Sequence, residues 1–493
     1  MRKLSWWKVT ILVLGGLVAL FYWNEWRVEW QWQHYVVDAR KRGVKLLLTD
    51  FAQPSIPAEE NFAVLPMWTQ VFAQNGSANP FKLPDLPGAA KGPPGFGDPI
   101  KGESMDWVAW QTYFQKVGFL KRISAEPARD VLSALDHYAP QFEEWNRGQS
   151  RPKCRFPLDL AKGAEMPLPH LPVFQSITKL FALRLRAHLA LGDTTAALMD
   201  FRMALQGYHR LANDPTMISG LVRVSMLSML VAAVGDGLRD RAWGDAELRE
   251  IQAALGTMRL CADYGLAMES EHGFLNTVMD SVVGMAAPQR GRYVARWLRA
   301  FDSNFGDLNE VNSSRSFAFA LIPRSIFRQN QLRANHYLEE LLAQADVTTG
   351  QFDPDRPTPS ALSADPGDWE HLYYFAFARS EPVYAHIERW YILMQTRLDH
   401  ARLVCALERY RMARGTYPEN LTDLVPEFIA AEPRDVYARA PYHYQSLKGK
   451  SFRLYGVGEN RQDDGGTLDR KKSETRQPDD VWLYAPPDGL AVP

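Results

Sequence analysis

The fold is decided by the stretch YAHIERWYILMQTRLDHARLVCALERYRMARGTYP, residues 384–418. Its apolar residues recur every three or four positions, at Tyr384, Ile387, Tyr391, Met394, Leu398, Ala401 and Cys405. This spacing predicts an amphipathic helix of about six turns with one buried face. We expect the helix to begin just after Pro382 and to end at Gly415, because a glycine commonly ends a helix.

The residues that follow this helix alternate in a way that is typical of strands. Segments 442–445 and 452–457 predict a hairpin around Lys448-Gly449-Lys450, and segment 481–484 predicts a third strand. The C-terminal part therefore predicts a small α+β module with a three-stranded antiparallel sheet, on a chain that is otherwise mainly α.

Composition limits the classes of function. The chain has 493 residues, of which 46% are hydrophobic and 23% charged, and these are values of a globular protein. With 56 basic and 57 acidic side chains, the chain has no excess of positive charge that would attract nucleic acid. Cys154, Cys261 and Cys405 are too scattered for a zinc site or a disulfide framework. Because nucleotide-binding glycine motifs are also missing, we predict neither nucleic acid nor nucleotide as a partner.

The N-terminus predicts a membrane anchor. An apolar run at 9–23 follows three basic residues. Trp6-Trp7 precedes the run and Phe21-Tyr22-Trp23 ends it, which resembles the aromatic belts at membrane interfaces. A cleaved signal peptide is the alternative, but the small-x-small cleavage site is missing. We predict a transmembrane helix with its helical extension over 1–35, a cytoplasmic N-terminus and a periplasmic or otherwise extracytoplasmic body. Trp23, Trp26 and Trp30 form a stripe that can rest on lipid or, more commonly, on the protein's own core.

The body divides by composition into segments. Residues 36–106 predict an irregular Pro/Gly-rich surface segment, 107–346 an irregular helical bundle, 347–370 a linker, and 371–493 the long helix with the α+β module. Within the bundle, runs at 180–190 and 194–211 predict a helical hairpin turned by Gly192-Asp193. The apolar run at 218–234 contains Arg223, which favours a buried core helix over a second span.

Few residues are candidates for catalysis or metal binding. Glu269 and His272 have the ExxH spacing of carboxylate-bridged metal sites, but a solvated helix face explains the pair more simply. Arg155 lies in a basic loop, 151–158, for which packing of Phe156 and Leu158 on the bundle is the simpler interpretation. An enzyme with a bundle cleft lined by Glu269, His272 and Arg155 is the alternative to a binding protein. The sequence predicts no catalytic residue.

The order of elements at the C-terminus resembles the globular domain of type II secretion major pseudopilins. The shared features over residues 398–482 are the helix, Gly-x-Tyr-Pro, Leu-x-x-Leu-x-Pro, an aromatic strand ending in Tyr-x-x-Gly, a glycine loop and an acidic pair. The resemblance implies calcium as a cofactor. Its ligands would come from the glycine loop and the acidic pair, which here are Asn460, Asp463, Asp464, Asp479 and Asp480.

Two features depart from the pseudopilin pattern. Four basic residues lie between the loop and the acidic pair, at Arg470, Lys471, Lys472 and Arg476. In addition, the predicted anchor lies at the far end of the chain, whereas a pseudopilin helix runs directly into its membrane segment. A pilus-like filament of this chain itself is therefore not implied.

Over its full length the chain resembles a family of uncharacterised single-span bacterial membrane proteins. The shared signs are Glu60-Asn61-Phe62-Ala63, Arg155-Phe156-Pro157-Leu158 and the C-terminal module. The resemblance implies no activity. The sequence thus predicts a membrane-anchored extracytoplasmic binding or scaffold protein associated with an envelope secretion or pilus-like assembly, with envelope proteins or a second copy as its partner.

Overall fold

The protein is mainly helical. The computed structural model describes residues 6–73, 79–86, 92–96, 104–300, 313–346, 350–353, 355 and 377–466. Its α-helices are α1 (Trp6–Lys41), α2 (Pro66–Ala73), α3 (Trp107–Lys116), α4 (Pro127–Leu135), α5 (Ala139–Arg147), α6 (His170–Ala190), α7 (Thr194–Arg210), α8 (Met217–Arg239), α9 (Asp245–Leu255), α10 (Leu260–Gly284), α11 (Ala287–Ala300), α12 (Ser313–Ala320), α13 (Arg324–Leu342) and α14 (Phe377–Arg414). Two short antiparallel pairs accompany them, β1 (Ala345–Asp346) with β2 (Gln351–Phe352), and β3 (His443–Leu447) with β4 (Ser451–Tyr455).

Helix α14 is the predicted long helix, and its apolar seam is buried throughout. All seven seam residues from Tyr384 to Cys405 have side chains that are at most 3% exposed, and the helix packs against α8, α9, α10 and α13. Gly415 follows the helix with a φ of +81°, a conformation that favours glycine. The predicted start was wrong, because α14 begins at Phe377. Pro382 falls in its second turn, where a proline removes a backbone hydrogen bond without stopping the helix.

The predicted helices of the bundle are confirmed. Helices α6 and α7 form the hairpin, and the Asp193 carboxylate caps α7 by accepting a 3.0 Å hydrogen bond from the Ala196 amide. Helix α8 is a core helix, whose Arg223 forms a buried ion pair with Asp263 at 2.8 Å. The most apolar stretch of α8 is 61% buried, as a soluble core helix requires.

Segment 36–106 is not the surface segment that its composition predicted. Its described part contains α2 and buries large side chains, including Phe62, Trp68 and Phe81, in the main core. Phe62 packs edge-to-face on Trp145, with ring centroids 5.0 Å apart, and a Cβ on Gly148 would lie only 2.5 Å from its ring. The prolines turn the chain between these anchors, while the aromatic residues determine its burial.

The N-terminal helix is longer than predicted, since α1 runs without a break to Lys41. It is long and apolar enough to cross a membrane, and none of the residues in its most apolar stretch is buried. The tryptophan stripe does not rest on the core, because Trp23, Trp26 and Trp30 are all exposed. Its neighbours Trp32 and Tyr35 face the bundle instead.

The C-terminal hairpin is confirmed. Strands β3 and β4 pair with His443 opposite Tyr455, and the turn between them carries positive φ at Lys448 and Gly449. The predicted third strand at 481–484 lies outside the described residues, as does most of the predicted linker 347–370.

We expect Leu398→Ala to destabilise the protein by about 2–5 kcal/mol, because the substitution leaves a cavity where α14 meets the core. The matched control is Met412→Ala on the exposed side of the same helix, which should change stability by less than about 1 kcal/mol. Urea unfolding of the full chain in mild detergent measures both. Equal losses for the two variants would contradict the central role of the α14 seam.

Candidate functional site

The second half of α1 lies along α13, and the two helices run in the same direction. The partner numbers rise together from the start of α13 to its end, at Glu25 with Ser325, Glu29 with Arg328, Tyr35 with Asn335, and Arg42 with Glu339. The first of these contacts is a capping interaction, in which the Glu25 carboxylate accepts the Ser325 amide at 3.1 Å and 3.2 Å. The exposed apolar half of α1 therefore lies at the N-terminal end of α13.

A cluster of polar side chains, all buried except the half-buried Glu339, joins α1, α10 and α13, and we call it the polar junction. It comprises Tyr35, His272, Asn276, Gln331, Asn335 and Glu339. The Tyr35 hydroxyl is 2.8 Å from Glu339 Oε1, 3.0 Å from His272 Nε2 and 3.2 Å from Asn335 Oδ1. Since the hydroxyl has one hydrogen, donation to the Glu339 carboxylate leaves its oxygen to accept from the His272 Nε2–H group.

Burial favours the neutral forms of Tyr35 and His272. It raises the pKa of the Tyr35 hydroxyl well above its usual range, and the neighbouring Glu339 charge adds to the rise. Burial also lowers the pKa of His272, against the opposing influence of Glu339. The neutral Tyr35 hydroxyl therefore links His272 on one side to the Glu339 carboxylate on the other, and Arg42 pairs with the same carboxylate.

The amide layer of the junction is completely buried. Asn276 and Asn335 donate to each other's carbonyl oxygen at 2.8 Å, and Gln331 Nε2 donates to Asn276 Oδ1 at 2.9 Å. Such reciprocal pairs have one register, because a shift of either helix would leave buried amides without partners at about 1–3 kcal/mol each.

Arg328 extends the junction toward the apolar half of α1. Its guanidinium lies over the Trp32 ring at 5.1 Å, forms an ion pair with Glu29 at 3.1 Å and contacts Asp280. It thus joins one acidic side chain of α1 to another of α10. Chemically, the whole arrangement fixes the orientation of α1 on the bundle, since its groups satisfy one another.

The predicted ExxH pair does not form a site. Glu269 is exposed, as a solvated helix face implies, whereas His272 is buried in the polar junction. Sequence reasoning missed the neighbouring Glu271, which is buried and accepts a 2.9 Å hydrogen bond from the Tyr384 hydroxyl of α14. Burial raises the pKa of the Glu271 carboxyl to about 7. No polar periodicity marked Glu271, because the Tyr384 side chain that contacts it is distant in sequence.

Arg155 lies elsewhere, beside a cavity of about 50 Å³ that is also lined by Cys154, Arg210 and Asp214. This volume accommodates a few water molecules rather than an organic substrate. Burial raises the pKa of the Cys154 thiol well above its usual range, so the thiol is not an activated nucleophile. Phe156 packs into the core as predicted. Glu269, His272 and Arg155 therefore have three separate surroundings and line no common cleft.

The described part of the predicted calcium loop is occupied by internal contacts. Asp463 Oδ1 accepts from the Tyr455 hydroxyl and the Gly465 amide, both at 2.9 Å, and Asn460 donates to Asp464 at 2.9 Å. Among the described residues no three acidic, histidine or cysteine side chains converge as metal ligands. Asp479 and Asp480 lie outside the described residues, so the calcium site stays a prediction.

No family model, curated protein or solved structure matches the chain. The pseudopilin-like character of the C-terminal module therefore stays a prediction as well, and the polar junction is the feature from which a function can be argued.

The raised pKa of Glu271 predicts a pH-dependent stability. Between about pH 4.5 and pH 7 the folded state binds more protons than the unfolded state, so the free energy of unfolding falls as the pH rises. Glu271→Gln removes this carboxyl while keeping an acceptor for Tyr384. We expect the variant to be more stable than the wild type at pH 8, by at most about 3 kcal/mol, with the gain vanishing near pH 4.5.

Glu269→Gln, two residues away on the exposed face, is the matched control and should show no such pH-dependent gain. Urea unfolding of the detergent-solubilised chain at pH 5 and pH 8 measures the difference. A Glu271→Gln variant whose stability relative to the wild type is the same at both pH values would contradict the assignment.

Proposed function

We propose that the protein is a membrane-anchored extracytoplasmic scaffold, which binds envelope partners and holds them at a fixed orientation to the bilayer. The observation that carries this proposal is the two-part character of α1. One unbroken helix exposes a continuous apolar surface in its first half and is fixed by buried hydrogen bonds in its second half.

The first half of α1 fits a bilayer. The described residues from Trp6 to Trp23 expose apolar side chains on all sides, including Leu12, Leu14 and Leu17. Soluble monomers rarely leave so large an apolar surface uncovered. Residues 9–23 form about 22 Å of helix, and aromatic residues at either end bring this close to the thickness of a thin hydrocarbon core.

The proposed orientation rests on the large folded body that follows the apolar run. Long domains are translocated largely regardless of their charge, so the favoured orientation has a cytoplasmic N-terminus and a periplasmic body.

The polar junction favours a scaffold over an enzyme. Its buried groups are hydrogen-bonded to one another, and the residues proposed for a catalytic cleft have separate surroundings. On the opposite face of α1, about half a turn away, Trp26, Trp30 and Val37 are exposed just beyond the span. This face and the C-terminal module are the surfaces we assign to an envelope partner or a second copy, in a secretion or pilus-like assembly.

The anchor predicts that the full chain stays in bacterial membranes after washing with alkaline carbonate. Replacing both Leu14 and Leu17 with arginine should release it, because each arginine near the middle of a span costs about 2.5–3.5 kcal/mol on insertion scales. Val37→Arg on the exposed face of the same helix is the matched control and should remain bound. Release of the wild-type chain by carbonate would contradict the anchor, and protection of the body from protease in spheroplasts would contradict the orientation.

The scaffold role predicts a stable neighbour. Cross-linking of the full chain in native membranes, followed by mass spectrometry, should give a repeated product with one envelope protein or a second copy. We expect this product to decrease when Trp26 and Trp30 are both replaced by serine. A chain that is monomeric and without cross-linked neighbours under all conditions would contradict the role.

A further inference from the structure

The direction of three helices identifies the end of the bundle that faces the membrane. Helix α13 runs away from the membrane end of α1, as the pairing of Glu25 with Ser325 shows. Helix α10 runs the opposite way, because Asn276 pairs with Asn335 while the later Asp280 pairs with the earlier Arg328. The connection between α10 and α13 therefore lies at the level where α1 emerges from its apolar run.

This connection contains α11 and α12, and we call its described residues, 285–300 and 313–324, the tip. They include no acidic residue and six arginines, at Arg290, Arg292, Arg296, Arg299, Arg315 and Arg324. Residues 301–312 lie outside the described residues, and with their three acidic residues counted the sequence 285–324 still has a net charge of plus three. A chain with a total net charge of −1 thus concentrates positive charge at one place.

The tip is a packed unit. Val282, Val283, Val294 and Phe327 form a small core of their own, apart from the main one. The buried Arg290 guanidinium donates to the carbonyl groups of Ala320 and Ile322, which ties the start of α11 to the end of α12. These contacts hold the described end of α12 in place.

Two large apolar side chains of the tip nevertheless point outward. Phe317 is 66% exposed and Leu321 is 67% exposed. Leu321 precedes Ser325 by four residues, and Ser325 contacts Glu25, only two residues beyond the last residue of the apolar run. Both side chains consequently lie near the predicted boundary of the bilayer, and the nearby Arg292 and Arg296 are exposed as well.

We infer that the tip is a second membrane contact, which rests on a bilayer surface containing anionic lipid. Phe317 and Leu321 enter the boundary between headgroups and acyl chains, while Arg292 and Arg296 bind lipid phosphates. Exposed apolar residues beside arginines are typical of interfacial membrane helices. The inference rests on the proposed anchor, because the span sets the level of the tip.

A lipid surface explains the tip better than a protein partner does. The Ser325–Glu25 contact places the exposed apolar side chains of the tip near the aromatic end of the span. There Phe21, Tyr22 and Trp23 are also exposed. Aromatic side chains at that level are typical of the membrane interface. The two contacts together would fix the tilt of α1, which a single span leaves free.

The test uses the full chain in lipid nanodiscs made of phosphatidylcholine alone or mixed with phosphatidylglycerol. Cys154→Ser removes the one native thiol that is not fully buried, and a nitroxide label is attached at Leu321→Cys. The matched control is a label at Glu340→Cys, an exposed position about 24 Å farther along α13. Power saturation of the nitroxide signal measures how often the label collides with each of two reagents. Oxygen concentrates in lipid, whereas the nickel chelate stays in water.

We expect the label at 321 to collide mainly with oxygen and the label at 340 mainly with nickel. Adding Arg292→Glu and Arg296→Glu should shift the label at 321 toward nickel, and phosphatidylglycerol should shift it toward oxygen. Equal nickel access at 321 and 340 in both lipids would overturn the inference, and so would shielding of position 321 from both reagents, which indicates a protein contact. Loss of the chain from membranes in carbonate would instead overturn the anchor, so the two failures are distinguishable.

Discussion

The hydrogen bonds of the Tyr35 hydroxyl to α10 and α13 are the constraint on which the rest of the structure depends. Together with the Glu25–Ser325 and Arg42–Glu339 contacts, they fix α1 parallel to α13 and thereby determine which end of the bundle lies beside the exposed apolar half of the helix. Helix α10 carries this constraint onward, since adjacent residues face different neighbours. His272 faces α1, and Glu271 faces Tyr384 on α14, the helix around which the main core is packed. The orientation of the anchor is thus connected through one helix to the centre of the body.

A polar contact suits this position better than an apolar one for a physical reason. An apolar face on α1 could be satisfied by lipid, by the bundle or by several registers of either, because hydrophobic burial is not directional. Buried amides and a shared carboxylate have few arrangements in which every donor and acceptor is satisfied. Such contacts add little net stability, yet they make incorrect registers costly. The described α1 is exposed and apolar within the predicted span, whereas its contact with the bundle adds these polar groups to the buried side chains of Val28, Trp32 and Ala39.

The sequence predicted the elements in which burial follows a period and missed those in which it does not. The seam from Tyr384 to Cys405 and the α6–α7 hairpin repeat every three or four residues, so a helix with one buried face follows directly. The aromatic residues of segment 36–106 have no period, and their burial depends on distant partners such as Trp145. The polar junction was missed because a buried histidine and a solvated one look alike in sequence. A usable signal was present in the recurrence of polar residues at steps of three or four, at His272, Asn276 and Asp280 on α10 and at Arg328, Gln331 and Asn335 on α13.

In the proposed topology, the distance in sequence between the tip and the span explains why the arginines of the tip would not oppose translocation of the body. The positive-inside rule acts on short loops and on residues within about 15–20 positions of a span, and the tip lies far beyond that distance in sequence. In the proposed topology, folding brings the tip back beside the span through the contact of α1 with α13, so its arginines would act on the folded protein rather than on insertion. The parallel docking of α1 and α13 would then bring arginine side chains and lipid phosphates to the same level.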